Sequence, residues 1–276
     1  MANLLETVAN DLIDQIKQDT LVLPSLPEVC LRVRDVAEDI EATIPQLANL
    51  ISQDTGLTAR IIKVSNSSLM RTSSEVTDLI TAISRLGMNF TANLAMGLAM
   101  EQMFQATSDV VDKRMRKIWS QSTETASICH VLASHYTQLH PDQAMLAGLI
   151  HKIGALPVLA YAEDNRTLLN DGFMLDKLID KLHPIIGGHI VKAWNFPVGI
   201  QKVPLQYLKF DREVPSVDYV DIVTVAVLQS HANSDHPLAK MNYGQVTAFQ
   251  RVGMSPDMDV SEAVDLDSSE ISGLFD

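Results

Sequence analysis

Apolar residues in this chain recur at three- and four-residue steps along most of its length, and no stretch bounded by turn signals alternates with period two. The first spacing lays one apolar stripe along a helix, whereas a half-buried strand needs the alternation. Leu4, Leu5, Val8, Leu12, Ile13 and Ile16 make such a stripe near the N-terminus. The pattern predicts further helices over about 27–38, 44–53, 55–67, 77–85, 88–105, 110–136, 141–162, 173–182, 184–194, 198–208 and 217–231. Pro27 sits in a first-turn position, Thr43 precedes Ile44-Pro45, and Asp54 is placed to cap the segment opening at Thr55. Gly87 falls between two segments, where a helix C-terminus favours glycine. Pro141, Pro157, Pro184, Pro197 and Pro215 mark starts or breaks. The expected class is all-α, with many helices.

The 276 residues hold enough apolar side chains for a substantial core, and 34 acidic against 21 basic residues leave a net charge of −13. That balance disfavours nucleic acid and anionic membrane as partners, since both need basic surface, although a local basic patch remains compatible with it. Cys30 and Cys129 form no CxxC pair and fit a reducing compartment. The N-terminal stretch carries acids and no signal-peptide core, and the apolar run around LAMGLAM, with Asn93 and Glu101 near it, is too short to span a membrane. A soluble, cytoplasmic protein is expected. The apolar pattern is interrupted near 105–110. The last 22 residues carry seven acids and no Lys or Arg, with a thin stripe of Val260, Ala263, Val264, Ile271 and Leu274. They are expected to be a marginally ordered tail that the core does not need.

Chemistry concentrates around Gly148-Leu149-Ile150-His151-Lys152-Ile153-Gly154. Upstream stands Ile118-Trp119-Ser120-Gln121-Ser122, and downstream His183-Pro184-Ile185-Ile186-Gly187-Gly188-His189 and Trp194-Asn195-Phe196-Pro197. These runs resemble the HD superfamily of metal-dependent phosphohydrolases. The resemblance implies an upstream His, a His-Asp doublet and a distant Asp holding one or two divalent metals that activate water and neutralise phosphate. In this chain those positions read Gln121, His151, Lys152 and Val227. An amide, an ammonium and an aliphatic side chain replace three of the four ligands, so no metal, cofactor or catalytic residue is expected.

Leu23-Pro24-Ser25-Leu26-Pro27-Glu28-Val29, Leu50-Ile51-Ser52-Gln53-Asp54, Leu57-Thr58-Ala59-Arg60-Ile61-Ile62, Ser65-Asn66-Ser67 and Ala82-Ile83-Ser84-Arg85-Leu86-Gly87 extend the likeness. Together with the HD-derived half they resemble the HDOD family, the "HD-related output domain" of bacterial signalling proteins, over about 20–250. The resemblance implies an all-helical regulatory domain, usually without the HD ligands, that works through protein partners. No receiver, cyclase or kinase sequence is attached, so a stand-alone member is expected. The implied organisation is an N-terminal helix (1–19), an N-terminal helical half (20–108), an HD-derived half (109–254) and the acidic tail (255–276).

Other candidates carry a plainer structural reading beside a functional one. His183 and His189 lie six apart around a Gly-Gly pair, as possible pocket residues or as packing and capping groups. His130 and His135 read as surface residues. Gln121 and Lys152 are placed to hydrogen-bond across the degenerate site. Asp54 and Asn66 read as helix-end groups. Met96, Met100 and Met103 read as interhelical packing or an adaptable groove. Arg60, Lys63, Arg71 and Arg85 read as a salt-bridged face or a phosphate-holding one. The function expected is regulatory signal transduction through a protein partner, with a small nucleotide as a possible ligand. The alternative is a metal-dependent phosphohydrolase acting on a nucleotide or cyclic dinucleotide.

Overall fold

The computed structural model describes residues 2–18, 20–67, 70, 74–232 and 234–260, with backbone alone at 2–5 and 17. Arg71 and residues 261–276 lie outside the described residues, and with them most of the acidic tail. Helices account for the architecture, and no strand occurs among the described residues. In chain order they are α1 (Ala2–Lys17), α2 (Glu28–Glu38), α3 (Ile44–Ile51), α4 (Thr55–Ser65), α5 (Leu79–Leu86), α6 (Met88–Met100) and α7 (Asp109–Tyr136). There follow α8 (Pro141–Ile150), α9 (Ala155–Glu163), α10 (Arg166–Asn170), α11 (Gly172–Ala193), α12 (Val198–Gln201), α13 (Val203–Gln206), α14 (Tyr219–Ser230) and α15 (Thr247–Val252).

Local signals set most of the starts. The Asp54 carboxylate accepts from the Leu57 N–H at 2.9 Å, and Asp78 accepts from Thr81 at 2.8 Å. Thr43 opens α3 with its N–H donating to Gln46 Oε1 at 2.7 Å, one arm of a capping box. Gly87, at φ 84°, closes α5 in a backbone region that side chains avoid.

Among the departures from the sequence pattern, two have tertiary causes. The expected helix 141–162 is two helices, α8 and α9, parted by a turn at 151–154. There α11 crosses so closely that a Cβ on Gly154 would stand 2.1 Å from the His183 carbonyl oxygen and 2.3 Å from Gly187 N. Conversely, 173–182 and 184–194 are the single helix α11, which runs through Pro184. A proline inside a helix costs about 3 kcal/mol. Burial of Leu175, Leu178, Leu182, Ile186, Ile190 and Val191 on the same helix outweighs that at roughly 1.5–3 kcal/mol each. Lastly, 88–105 stops being α-helical at Met100 and ends in a 3₁₀ turn, Glu101–Met103.

α7, α8 and α14 pack together, and α6 lies between α8 and α2. α7 and α8 meet at Gly148, where a Cβ would lie 2.6 Å from Ala126 Cα. α1 packs on α11. The Trp194 indole N–H donates to the Pro24 carbonyl at 2.9 Å, and the Arg34 guanidinium to the Trp194 carbonyl at 2.7 Å, and buried residues from Val8 to Val260 form one apolar core. Among the described residues one run, Pro141–Glu163, is long and apolar enough by composition to cross a membrane, whereas the sequence pattern put the longest apolar stretch around LAMGLAM and found it too short. Most of it is buried within the protein, as befits the α8–α9 core pair. At the tail's start Met254 and Val260 are buried, and the Val260 N–H donates to Gln229 Oε1 at 3.0 Å.

Farther along, a buried ionic cluster ties α15 to α14. Asp221, wholly buried, accepts from Arg212 Nη1 at 2.8 Å and from Arg251 Nε and Nη2 at 2.8 Å each. Asp218 caps α14 and takes Arg212 Nη2 at 2.6 Å.

Candidate functional site

The turn after α8 delivers His151 and Lys152 toward α7, which presents Gln121, and toward α11, which presents Asp176, Asp180 and His183. Between them lies a cleft of about 220 Å³, also bordered by Arg114, Lys117 and His236. Lys152 Nζ donates to Gln121 Oε1 at 3.1 Å. Burial lowers the Lys152 pKa, and Lys117 nearby lowers it further, while Asp180 opposes both. Burial pushes the Asp180 carboxyl up, with Lys152 pulling it down.

Both imidazoles beneath the cleft are neutral and held by backbone. His183 Nδ1 donates to the Ile179 carbonyl at 2.8 Å, and burial pushes its pKa down to about 4. His151 Nδ1 donates to the Gly148 carbonyl at 2.6 Å; burial first, then Lys152, holds its pKa well below the usual value. With Nδ1 protonated, His183 Nε2 is an acceptor, and the Tyr207 hydroxyl donates to it at 2.6 Å. Burial raises the Tyr207 pKa, which keeps that proton in place. The His151 and Tyr207 rings meet edge to face, with centroids 5.0 Å apart. The Thr224 hydroxyl, 2.8 Å from the Tyr207 carbonyl, links α14 to this assembly. His236, which lines the cleft, stacks on His231 with ring centroids 4.0 Å apart.

Gln121, His151, Lys152 and His183 therefore converge. Val227 is buried on α14, one turn before His231, and supplies no polar atom. His189 is exposed on α11 and does not border the cleft, since six residues along a helix turn it away from His183. Tyr207, Asp180, His231, His236, Lys117 and Arg114 belong to the site but not to the motifs. Only Asp180 carried a signal, its i, i+3 relation to His183 on a helix. Elsewhere, Asn66 exchanges hydrogen bonds with both backbone groups of Val76. Arg60 pairs with Glu101, and Arg85 donates to the Ser65 and Ser74 carbonyls. Met96 and Met100 are buried between helices. His135 is exposed, whereas His130, expected at the surface, stands half-buried, edge to face with Phe90.

The HDOD domain family matches residues 23–207, more than half of the 276. The chain belongs to the HDOD family. Among solved structures, this HDOD protein is similar to a protein of Shewanella amazonensis SB2B provisionally named a metal-dependent phosphohydrolase. The two are 30% identical with a TM-score of 0.86, covering 100% of each chain. An HDOD domain protein of unknown function from Geobacter sulfurreducens is 22% identical, with a TM-score of 0.68 over 100% of this chain and 98% of its own. An uncharacterized protein of Treponema pallidum (strain Nichols) is 23% identical over 207 residues; the match takes in 70% of this chain and 38% of that protein's length.

The donor set of this HDOD protein does not fit the divalent metal that the Shewanella protein's name implies. A metal would stand against the Lys152 ammonium, whose neighbour Gln121 offers a neutral amide oxygen already engaged with it. Val227 offers nothing, and His183 Nε2 is bound by Tyr207.

Proposed function

We propose that this HDOD protein is a non-catalytic regulatory module of cytoplasmic signal transduction that acts through contacts with a protein partner. The observation that carries this reading is the Lys152–Gln121 hydrogen bond, which sets an ammonium and an amide at two positions where HD enzymes hold metal. Hydrolysis of a phosphoester needs both an activated water and neutralisation of the phosphate, and the metal clamp supplies both. The buried, neutral His151–Tyr207–His183 group acts in this reading as a structural centre fixing α8, α11 and α14. The name of one structural neighbour, a signal transduction protein of Marinobacter aquaeolei VT8 provisionally so called, agrees with the reading.

The test is hydrolysis of cyclic dinucleotides and generic phosphoesters by the full chain, with Mn²⁺ or Mg²⁺ supplied. Release no greater than a blank is expected. Turnover abolished by His151→Ala overturns the proposal and establishes the second reading, a metal-dependent phosphohydrolase, which the name of the 30%-identical Shewanella protein favours.

A further inference from the structure

The charges lining the cleft do not cancel. Arg114 Nε and Asp176 Oδ1 pair at 2.8 Å, which leaves two ammonium groups, Lys117 and Lys152, against the single carboxylate of Asp180. Lys117 enters no hydrogen bond or ion pair among the described residues, and its field lowers the pKa of Lys152 across the cleft. Facing like charges in a half-buried concavity repel unless an anion stands between them. This arrangement occurs in a chain with a net charge of −13, so a general excess of cations does not account for it. Gln121, which also lines the cleft, accepts from Lys152 through its carbonyl oxygen, so its amide N–H groups remain as donors. His236 adds an imidazole at the rim.

We propose that this cleft binds a small phosphate monoester, its phosphate held between Lys117, Lys152 and the Gln121 amide. Asp180 sits beside the phosphate position, where it repels a bare anion but accepts a hydrogen bond from a hydroxyl on the esterified group. At about 220 Å³ the cleft is smaller than a site for a drug-sized ligand, and it has room for a phosphate bearing one sugar ring rather than a dinucleotide. The inference rests on the non-catalytic reading of the site, because the ligand is held and released unchanged.

The experiment is calorimetric titration of the full chain at low ionic strength with two probes, inorganic phosphate and ribose 5-phosphate. Saturable one-to-one binding of ribose 5-phosphate is expected. K117Q and K152Q should each weaken both probes by about tenfold or more, the worth of one charge-assisted hydrogen bond. D180N should weaken ribose 5-phosphate while tightening inorganic phosphate, because it removes an acceptor and a repulsive charge together. K177Q, whose ammonium lies over the exposed Phe173 ring, should change neither. Should K152Q fold poorly, K117Q at an exposed position carries the comparison. No saturable binding, affinity unmoved by K117Q, or D180N shifting both probes in one direction overturns the ligand. Free phosphate appearing in the ribose 5-phosphate mixtures overturns instead the non-catalytic reading, so the two failures are distinguishable.

Discussion

Adding one methyl group at Gly154 tests the packing that creates the site. Gly154 has φ −66° and ψ −7°, a backbone any residue adopts, so only space demands glycine there. An alanine Cβ would lie 2.1 Å from the His183 carbonyl oxygen and 2.3 Å from Gly187 N. Both are backbone atoms, so no side chain can swing aside, and α9 and α11 must separate by roughly an ångström. Overpacking costs about 1–3 kcal/mol and more where backbone has to move. Taking about 3 kcal/mol, G154A should lower Tm by roughly 6–12 °C for a chain of this size. A matched control lies on α11: at Gly188 the new Cβ meets only Leu205 Cβ at 3.5 Å, an ordinary contact. G188A should therefore be neutral or gain up to about 1 kcal/mol from helix propensity. Thermal melts followed by far-UV circular dichroism, with urea midpoints beside them, read both variants. If G154A melts within about 2 °C of the parent, or G188A is equally damaged, the close crossing is not what parts α8 from α9.

Among the described residues, Asp221→Ala removes the only carboxylate that Arg251 pairs with and leaves Arg212 to Asp218 alone, and it should cost about 3–5 kcal/mol by urea unfolding; a loss under about 1 kcal/mol refutes the view that this cluster holds α15 to α14. Tyr207→Phe removes the donor to His183 Nε2 and should cost about 1–3 kcal/mol without loss of helix content, and an unchanged urea midpoint would contradict that bond. Acid should destabilise through His183. Its folded pKa of about 4 lies below the ordinary 6.5, so the unfolded chain binds the proton first. Stability from this group is level above 6.5 and falls as pH drops from 6.5 toward 4. The loss is on the order of 3 kcal/mol. Urea midpoints that stay flat across that window would show His183 to be less enclosed.

The helical class, the starts of α3 and α4, the end of α5 at Gly87, and the positions of Gln121, His151 and Lys152 were all legible in the sequence. Each depends on neighbours within a turn or two: Asp54 reaches Leu57, Thr43 reaches Gln46, and an apolar stripe needs only its own spacing. Motif spacing likewise placed the ammonium and the amide that meet at 3.1 Å. Tertiary structure alone decided the break at 151–154, because the residues that forbid a side chain on Gly154 lie on α11. It also decided the passage of α11 through Pro184, where buried contacts with other helices outweigh a local penalty that the sequence states plainly. Tyr207 reached His183 from just past the end of the four-residue helix α13, with no motif, and Asp221 gathered arginines from before and after α14 in the chain. Local hydrogen bonding and periodicity are short-ranged, so the order of residues records them. The approach of two helices depends on volumes and charges summed over the whole core, and no short stretch of the chain contains that sum.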